Sequence, residues 1–266
     1  FSGLLQWGMF RTVIDPDWSY EQGRLIISGV LFIVAYFLHR RFSFRDFKRV
    51  GVAIYANGVE DLSSIHGQIG QYPDFIHVDI VDCGRVGDTL AATRDALLDA
   101  AGRADCVITT GGVSVGEEDH VRAAIEQLGT IDLWKLAVKP GKPFAFGKIT
   151  SEGESCQFFG LPGNPVSAFV TFALVVRPTL LALQGATKAS PHSFPVRSGF
   201  SRDKGGPRQE YLRAVLEHGS EGLVATPLKN QSSGIALSLS RSDGLLIVPP
   251  SVGVSQGEIL QFIPFS

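Results

Sequence analysis

The stretch Asp105-Cys106-Val107-Ile108-Thr109-Thr110-Gly111-Gly112-Val113-Ser114-Val115-Gly116-Glu117-Glu118-Asp119 decides the fold. An apolar, β-branched run stops at a glycine pair, and acidic residues then open a segment in which Val121, Ala124, Ile125 and Leu128 recur at helical spacing. Strand, glycine turn and amphipathic helix in that order make one unit of a parallel α/β layer. Glycines without side chains let backbone N–H groups approach a ligand, and a helix start behind them favours an anion. Taken alone, the loop is equally well explained as a tight connection whose acidic residues complement the helix dipole.

A second loop of the same kind, Gly160-Leu161-Pro162-Gly163-Asn164-Pro165, follows the apolar run Phe158–Gly160. Its prolines stiffen the backbone, Asn164 is placed to cap a helix, and Pro165 suits the first helical position. Between the loops stands Trp134-Lys135-Leu136-Ala137-Val138-Lys139-Pro140-Gly141-Lys142-Pro143. Lys135 alternates with apolar neighbours, as on a strand with one exposed face. Pro140-Gly141 is expected to bend the chain so that Lys139 and Lys142 meet one ligand. Lysines beside a turn are commonly just solvated, so it is their place between two glycine loops that points to phosphate or oxyanion chemistry.

Working outward, strands are expected at Val50–Ala56, Phe75–Val81, Cys106–Thr109 and Phe158–Gly160, and surface helices at Thr89–Ala101 and Asp119–Leu128. Val166–Leu183 is apolar nearly all round, which predicts a helix sandwiched between layers and kinked or interrupted at Arg177-Pro178. Beyond a linker near Ala186–Pro191, short extended runs such as Glu210–Leu216 and Gly244–Val248 alternate with Gly and Pro, as in a small β domain. The expected division is a hydrophobic segment 1–47, an α/β domain 48–187 and a β domain 188–266.

The 266 residues are 44% hydrophobic with a formal net charge of -2, enough apolar material for two cores and no general attraction for nucleic acid. Three cysteines without CxxC spacing argue against a disulfide framework or structural zinc and fit a reducing cytoplasm. Six scattered histidines, no Gly-x-Ser-x-Gly elbow and no Walker lysine loop disfavour a hydrolase triad or a P-loop kinase. The Asp79 and Asp82 pair at a strand end is most simply solvated.

Thr109–Gly116, Trp134–Pro143 and Gly160–Ser167, in this order, closely resemble the molybdopterin molybdotransferase family, which includes the gephyrin E domain. Gln209-Glu210-Tyr211-Leu212-Arg213, Gln231-Ser232-Ser233-Gly234 and Ser242-Asp243-Gly244-Leu245 look like that family's terminal barrel domain. The resemblance runs from about residue 82 to residue 266. It implies a three-layer α/β domain with a mostly parallel sheet, followed by a small β-barrel-like domain. It further implies insertion of molybdate into adenylylated molybdopterin, with release of AMP and help from magnesium (Mg2+), in a cytoplasmic homodimer. Carried over, Asp119 matches an acidic catalytic and metal-binding position, and Lys135 and Lys139 match the catalytic lysines. Gly111, Gly112, Ser114, Gly116, Lys142, Pro162, Asn164 and Pro165 would line the substrate. A non-catalytic ligand- or peptide-binding scaffold, or an inactive fragment of the enzyme, is the alternative.

The N-terminal part departs from the family. Val50–Ala56 leads into Asn57-Gly58-Val59-Glu60 where the family has Thr-Gly-Asp-Glu-Leu, and a fragment or joined chain is expected. Leu25–Leu38 is apolar but shorter than the roughly 20 residues of a bilayer span, so a core helix and the tail of a membrane segment both fit, membrane contact being the less favoured.

Overall fold

The computed structural model describes residues 50–57, 78–87, 89–113, 120–186, 189–235 and 237–265. The hydrophobic segment Leu25–Leu38 and the departure at 58–60 lie outside them. The elements are β1 (Val50–Asn57), β2 (Val78–Val86), α1 (Leu90–Ala101), β3 (Cys106–Thr110), α2 (His120–Leu128), β4 (Gly129–Trp134), β5 (Val138–Lys139), β6 (Ala145–Ser151) and β7 (Glu154–Leu161). Then come α3 (Pro165–Thr171), a π-helical turn (Phe172–Val176), α4 (Arg177–Leu183), β8 (Phe194–Ser198), β9 (Gln209–Gly219), β10 (Gly222–Pro227), α5 (Leu237–Ser240), β11 (Gly244–Val248) and β12 (Ile259–Pro264).

The first sheet has the order β2-β1-β3-β7-β6-β4. Its first four strands are parallel, and β6 runs antiparallel to both β7 and β4. Period-two alternation sends consecutive residues to opposite faces. Val107 and Phe158 pack with Leu97, Val121, Ala124 and Ile125 under α1 and α2, while Cys106, Ile108 and Phe159 face Val166, Phe169, Phe172, Val176 and Leu180 of the long helix. Helices on one face, the sheet, and a helix on the other make the three layers of a mostly parallel α/β domain.

The helix Pro165–Leu183 is, by length and composition, the one described helix able to cross a membrane. Here it is a core element, with every residue of α3 buried and with Tyr211 and Leu245 of the second domain joined to its cluster. Where a kink or interruption is expected at Arg177-Pro178, the helix keeps its course but its α-helical hydrogen bonding gives way to the π-helical turn Phe172–Val176 between α3 and α4. Pro178 has no N–H for the helix and its ring crowds the carbonyl four residues earlier. A π turn just before it absorbs the misfit, with the Arg177 amide donating to the Phe172 carbonyl five residues back.

In the second domain the ladder β10-β8-β12-β11-β9 closes through a β9–β10 pairing into a five-stranded barrel. Leu212, Ala214, Ala225, Leu246, Val248, Leu260 and Phe262 fill it. The short β5, from the lysine segment of the first domain, adds in parallel to β9 with Val138 opposite Gln209 and Lys139 opposite Glu210. Backbone pairing thereby ties the lysine loop to the barrel.

Candidate functional site

The two glycine loops lie against each other. Strands β3 and β7 are neighbours with Thr110 opposite Leu161, and the Gly111 amide donates to the Leu161 carbonyl at 3.0 Å. Gly111 and Gly112 have φ of 80° and 68°, in the left-handed region that glycine enters without a Cβ clash. A side chain on Gly163 would stand 3.8 Å from the Gly111 Cα, and one on Gly160 would overlap Val113 Cγ1. Gly111 and Gly112 are thus explained by their positive φ, and Gly160 by the Val113 side chain packed over its Cα. Ser114, Gly116 and Asp119, the remaining expected residues of the first loop, lie outside the described residues.

In the second loop Pro162 and Pro165 are buried, and Gly163 and Asn164 are exposed. Asn164 occupies the cap position, but its side chain makes no capping hydrogen bond. The cap comes instead from the barrel. Pro165 has no N–H, the Val166 amide donates to the Ser233 carbonyl at 3.1 Å, and the Ala168 amide to the Asn164 carbonyl at 2.9 Å. An anion shared between two helix starts would therefore find the Val166 amide already engaged.

Ser233 is held in place by the barrel strand. The Gln231 side chain accepts from the Arg213 amide at 3.0 Å and donates to the Arg213 and Leu228 carbonyls at 2.9 Å. The fully buried Arg213 guanidinium donates to the carbonyls of Asn230 and Ser232 at 3.3 and 3.1 Å, and burial pulls its pKa down.

The lysine segment departs from its expected form. Lys135 is not on a strand. Strand β4 ends at Trp134, and Lys135 turns with φ 78°, its amide donating to the Phe144 carbonyl at 2.8 Å while Leu136 donates to Lys142 at 3.0 Å. Non-glycine residues held at positive φ cost about 1–3 kcal/mol and persist where surrounding structure enforces them. Gly141 is buried at φ 119°, with the place of a Cβ only 2.6 Å from Thr171 Cγ2, so the bend is pressed onto α3. Lys135 and Lys142 are exposed.

Lys139 is engaged. Its Nζ lies 3.3 Å from Glu210 Oε2, with the lysine side chain 55% exposed and the glutamate 4%. Arg202 Nη1 lies 3.0 Å from Glu210 Oε1, and the Gly206 amide donates to the same oxygen at 3.3 Å. Burial works to raise the Glu210 pKa, but Arg202, Lys139 and these hydrogen bonds outweigh it and hold the carboxyl below its ordinary value. Glu210 stands in a motif quoted from the sequence, yet nothing local marks a partner 71 positions upstream.

Comparison with known proteins accords with this architecture. The family model described as a probable molybdopterin binding domain matches residues 71–182, and the MoeA C-terminal region (domain IV) matches residues 195–265. The chain belongs to the molybdopterin molybdotransferase family. It is 37% identical over 195 residues to the molybdopterin molybdenumtransferase of Haemophilus influenzae, covering 72% of this chain and 47% of that one. It is 31% identical over 223 residues to gephyrin of Dictyostelium discoideum, covering 76% and 31% respectively. The chain thus spans less than half the length of these relatives. The crystal structure of a molybdopterin biosynthesis MoeA protein from Pyrococcus horikoshii superposes with a TM-score of 0.62 at 24% identity, over 82% of this chain and 55% of that one, and so shows the shared fold.

Among the described residues no group of three or more His, Cys, Asp or Glu side chains is placed to hold a metal ion, and Asp119 is not among them. The cationic and backbone groups that the described residues gather here are the lysines, the loop backbone and the Arg202–Glu210–Lys139 cluster.

Proposed function

We propose that this chain carries the substrate-binding part of a molybdenum-insertion enzyme, which places molybdate into adenylylated molybdopterin and releases AMP. The observation that carries this is the contact between the two glycine loops, with the lysine loop bound on one side to the long helix and on the other to the barrel. Both substrates are anions, and cleaving the phosphoanhydride leaves additional negative charge on AMP. Exposed lysines on a rigid turn meet that demand better than flexible surface lysines, because the geometry is set before the ligand arrives.

In this proposal Lys139 and Lys135 stabilise the charge that develops at the phosphates, and Lys142 adds to the local field. Gly111, Gly112, Pro162, Asn164 and Pro165 shape the wall beside them, with Ser114 and Gly116 completing the first loop. Magnesium would accompany the phosphoanhydride, with Asp119 as its protein ligand, on the strength of the sequence motif. A homodimer and a cytoplasmic location belong to the same proposal. The resemblance supports the dimer, and three free cysteines suit a reducing compartment.

Calorimetric titration of the purified chain with adenylylated molybdopterin and magnesium, compared with Lys139→Ala, tests it. Saturable binding by the parent, weakened in the variant, is expected. A folded parent that binds nothing would limit this chain to the family's fold.

A further inference from the structure

Resting on the function proposed above, we propose that Glu210 of the barrel is the positioning residue for Lys139 of the α/β domain. The barrel thereby holds the lysine of the anion site in place rather than merely adjoining it.

Three observations converge on this. Backbone pairing of β5 with β9 sets Lys139 opposite Glu210, so the two side chains leave neighbouring strands at the same level. The pairing is reinforced on its N-terminal side, where the Gln209 amide donates to the Ala137 carbonyl at 3.2 Å and Arg208 Nη1 donates to the Val138 carbonyl at 2.9 Å. The carboxylate itself is immobilised before the lysine reaches it. Glu210 shares its face of β9 with the barrel-filling Leu212 and Ala214, and its Oε1 takes both Arg202 Nη1 and the Gly206 amide. Arg202 is fixed in turn, exchanging two backbone hydrogen bonds of 2.8 Å with Val254.

The remaining oxygen, Oε2, faces Lys139. A buried, already hydrogen-bonded carboxylate is a rigid anchor, whereas a lysine on a four-carbon stem is mobile unless something holds its head. The charges also matter. Two cations share one anion, which leaves the cluster one positive charge in excess, and Lys139 is its more exposed member. Glu210 thus orients the ammonium without cancelling the attraction for an incoming phosphate or oxyanion.

The test has one readout that needs no ligand and one that does. Acetylation of native full-length chain by a limiting amine-reactive ester, followed by peptide mass spectrometry, gives the relative rates at Lys135, Lys139 and Lys142. Glu210→Gln should raise the rate at Lys139 alone by about threefold, the size expected of a half-exposed pair, and Glu210→Asp should fall between parent and Gln. If Glu210→Gln does not fold, Glu210→Asp alone gives the same readout, since it withdraws the carboxylate by one methylene. An unchanged Lys139 rate overturns the proposal. Titration with adenylylated molybdopterin then separates positioning from general stability. If Glu210 acts through Lys139, Glu210→Gln weakens binding in the parent but has no further effect in Lys139→Ala. Equal losses in both backgrounds overturn the proposal. A parent that binds no ligand sinks the functional proposal instead, and the acetylation rates alone then decide whether Glu210 holds Lys139.

Discussion

The backbone of Gly160 passes so close to Val113 that a methyl group on its Cα would overlap the valine Cγ1, with Ala145 Cβ 3.2 Å away on another side. The second glycine loop is thus packed against the end of the first through a missing side chain. Gly160→Ala should destabilise the protein by about 1–3 kcal/mol through overpacking. Trimming the obstacle in Gly160→Ala/Val113→Ala should cost less than the sum of the two single changes. Urea unfolding midpoints of the four proteins check this, and strictly additive losses would show that the contact is not what requires glycine.

Gly141 is constrained twice, by φ 119° and by Thr171 Cγ2 at 2.6 Å from where a Cβ would stand. Gly141→Ala should therefore cost about 2–4 kcal/mol, combining backbone strain with steric displacement. Thr171 uses its hydroxyl on the Ser167 carbonyl at 2.9 Å, so Thr171→Ser keeps that bond and removes only the obstructing methyl. The pair Gly141→Ala/Thr171→Ser should recover part of the stability and leave the backbone part lost. Complete recovery in thermal unfolding would contradict the strain component.

Lys139→Ala should weaken binding of adenylylated molybdopterin by about 1–3 kcal/mol if its ammonium makes a charge-assisted contact. The loss should shrink as salt rises, because the lysine is half exposed and screened. Titrations at two ionic strengths give both quantities, and unchanged affinity removes Lys139 from the binding surface.

Glu210 also predicts acid sensitivity. Its carboxyl is held below the ordinary value of 4.5 because Arg202, Lys139 and the hydrogen bonds outweigh the effect of burial. A depressed folded-state value means that its stabilisation is present above the unfolded value and is lost as pH falls through the folded one. Unfolding midpoints should hold above about pH 5 and decline below pH 4.5, and Glu210→Gln should show a shallower decline over that acidic range. Equal slopes for the two proteins would assign the acid sensitivity to other carboxylates.

Much of this fold is legible in short-range pattern. Strands β3 and β7 and the helices behind them announce themselves through β-branched runs, glycine breaks and the 3.6-residue recurrence seen at Val121, Ala124 and Ile125. Strands β4 and β6 do not. Gly129–Trp134 is an edge strand with a bulge between Ile131 and Leu133, so its pattern is broken, and the β6–β7 turn places Glu152, an ordinary residue, at φ 52° beside Gly153 at 86°. The site shows the same division. The loops can be found from Gly and Pro because proline fixes the local torsions and glycine admits ones that other residues avoid, whereas the Lys139–Glu210 and Val166–Ser233 contacts join distant segments through tertiary packing and leave no local mark. Lys135 is a mixed case, since its alternation with Trp134 and Leu136 imitates a strand at a position where the chain in fact turns.

The cysteines give a prediction independent of any ligand. Cys106 and Cys156 are both buried, and burial pushes the Cys156 thiol up to about 12 and Cys106 well above its ordinary value. The thiolate is the reactive form, so neither should react at neutral pH while the sheet is intact. They pack on opposite faces of that sheet, Cys106 under the long helix and Cys156 under α1 and α2, which keeps them from bridging to each other. Cys83 is only half buried, and its thiol is raised mainly by burial, with Arg103 acting in the opposite direction. Iodoacetamide at pH 8 should therefore alkylate Cys83 slowly in native protein and spare the other two, while all three react in urea. Peptide mass spectrometry reads the three sites separately, and native labelling of Cys106 at the rate of Cys83 would mean that the β3 core opens on the timescale of the reaction.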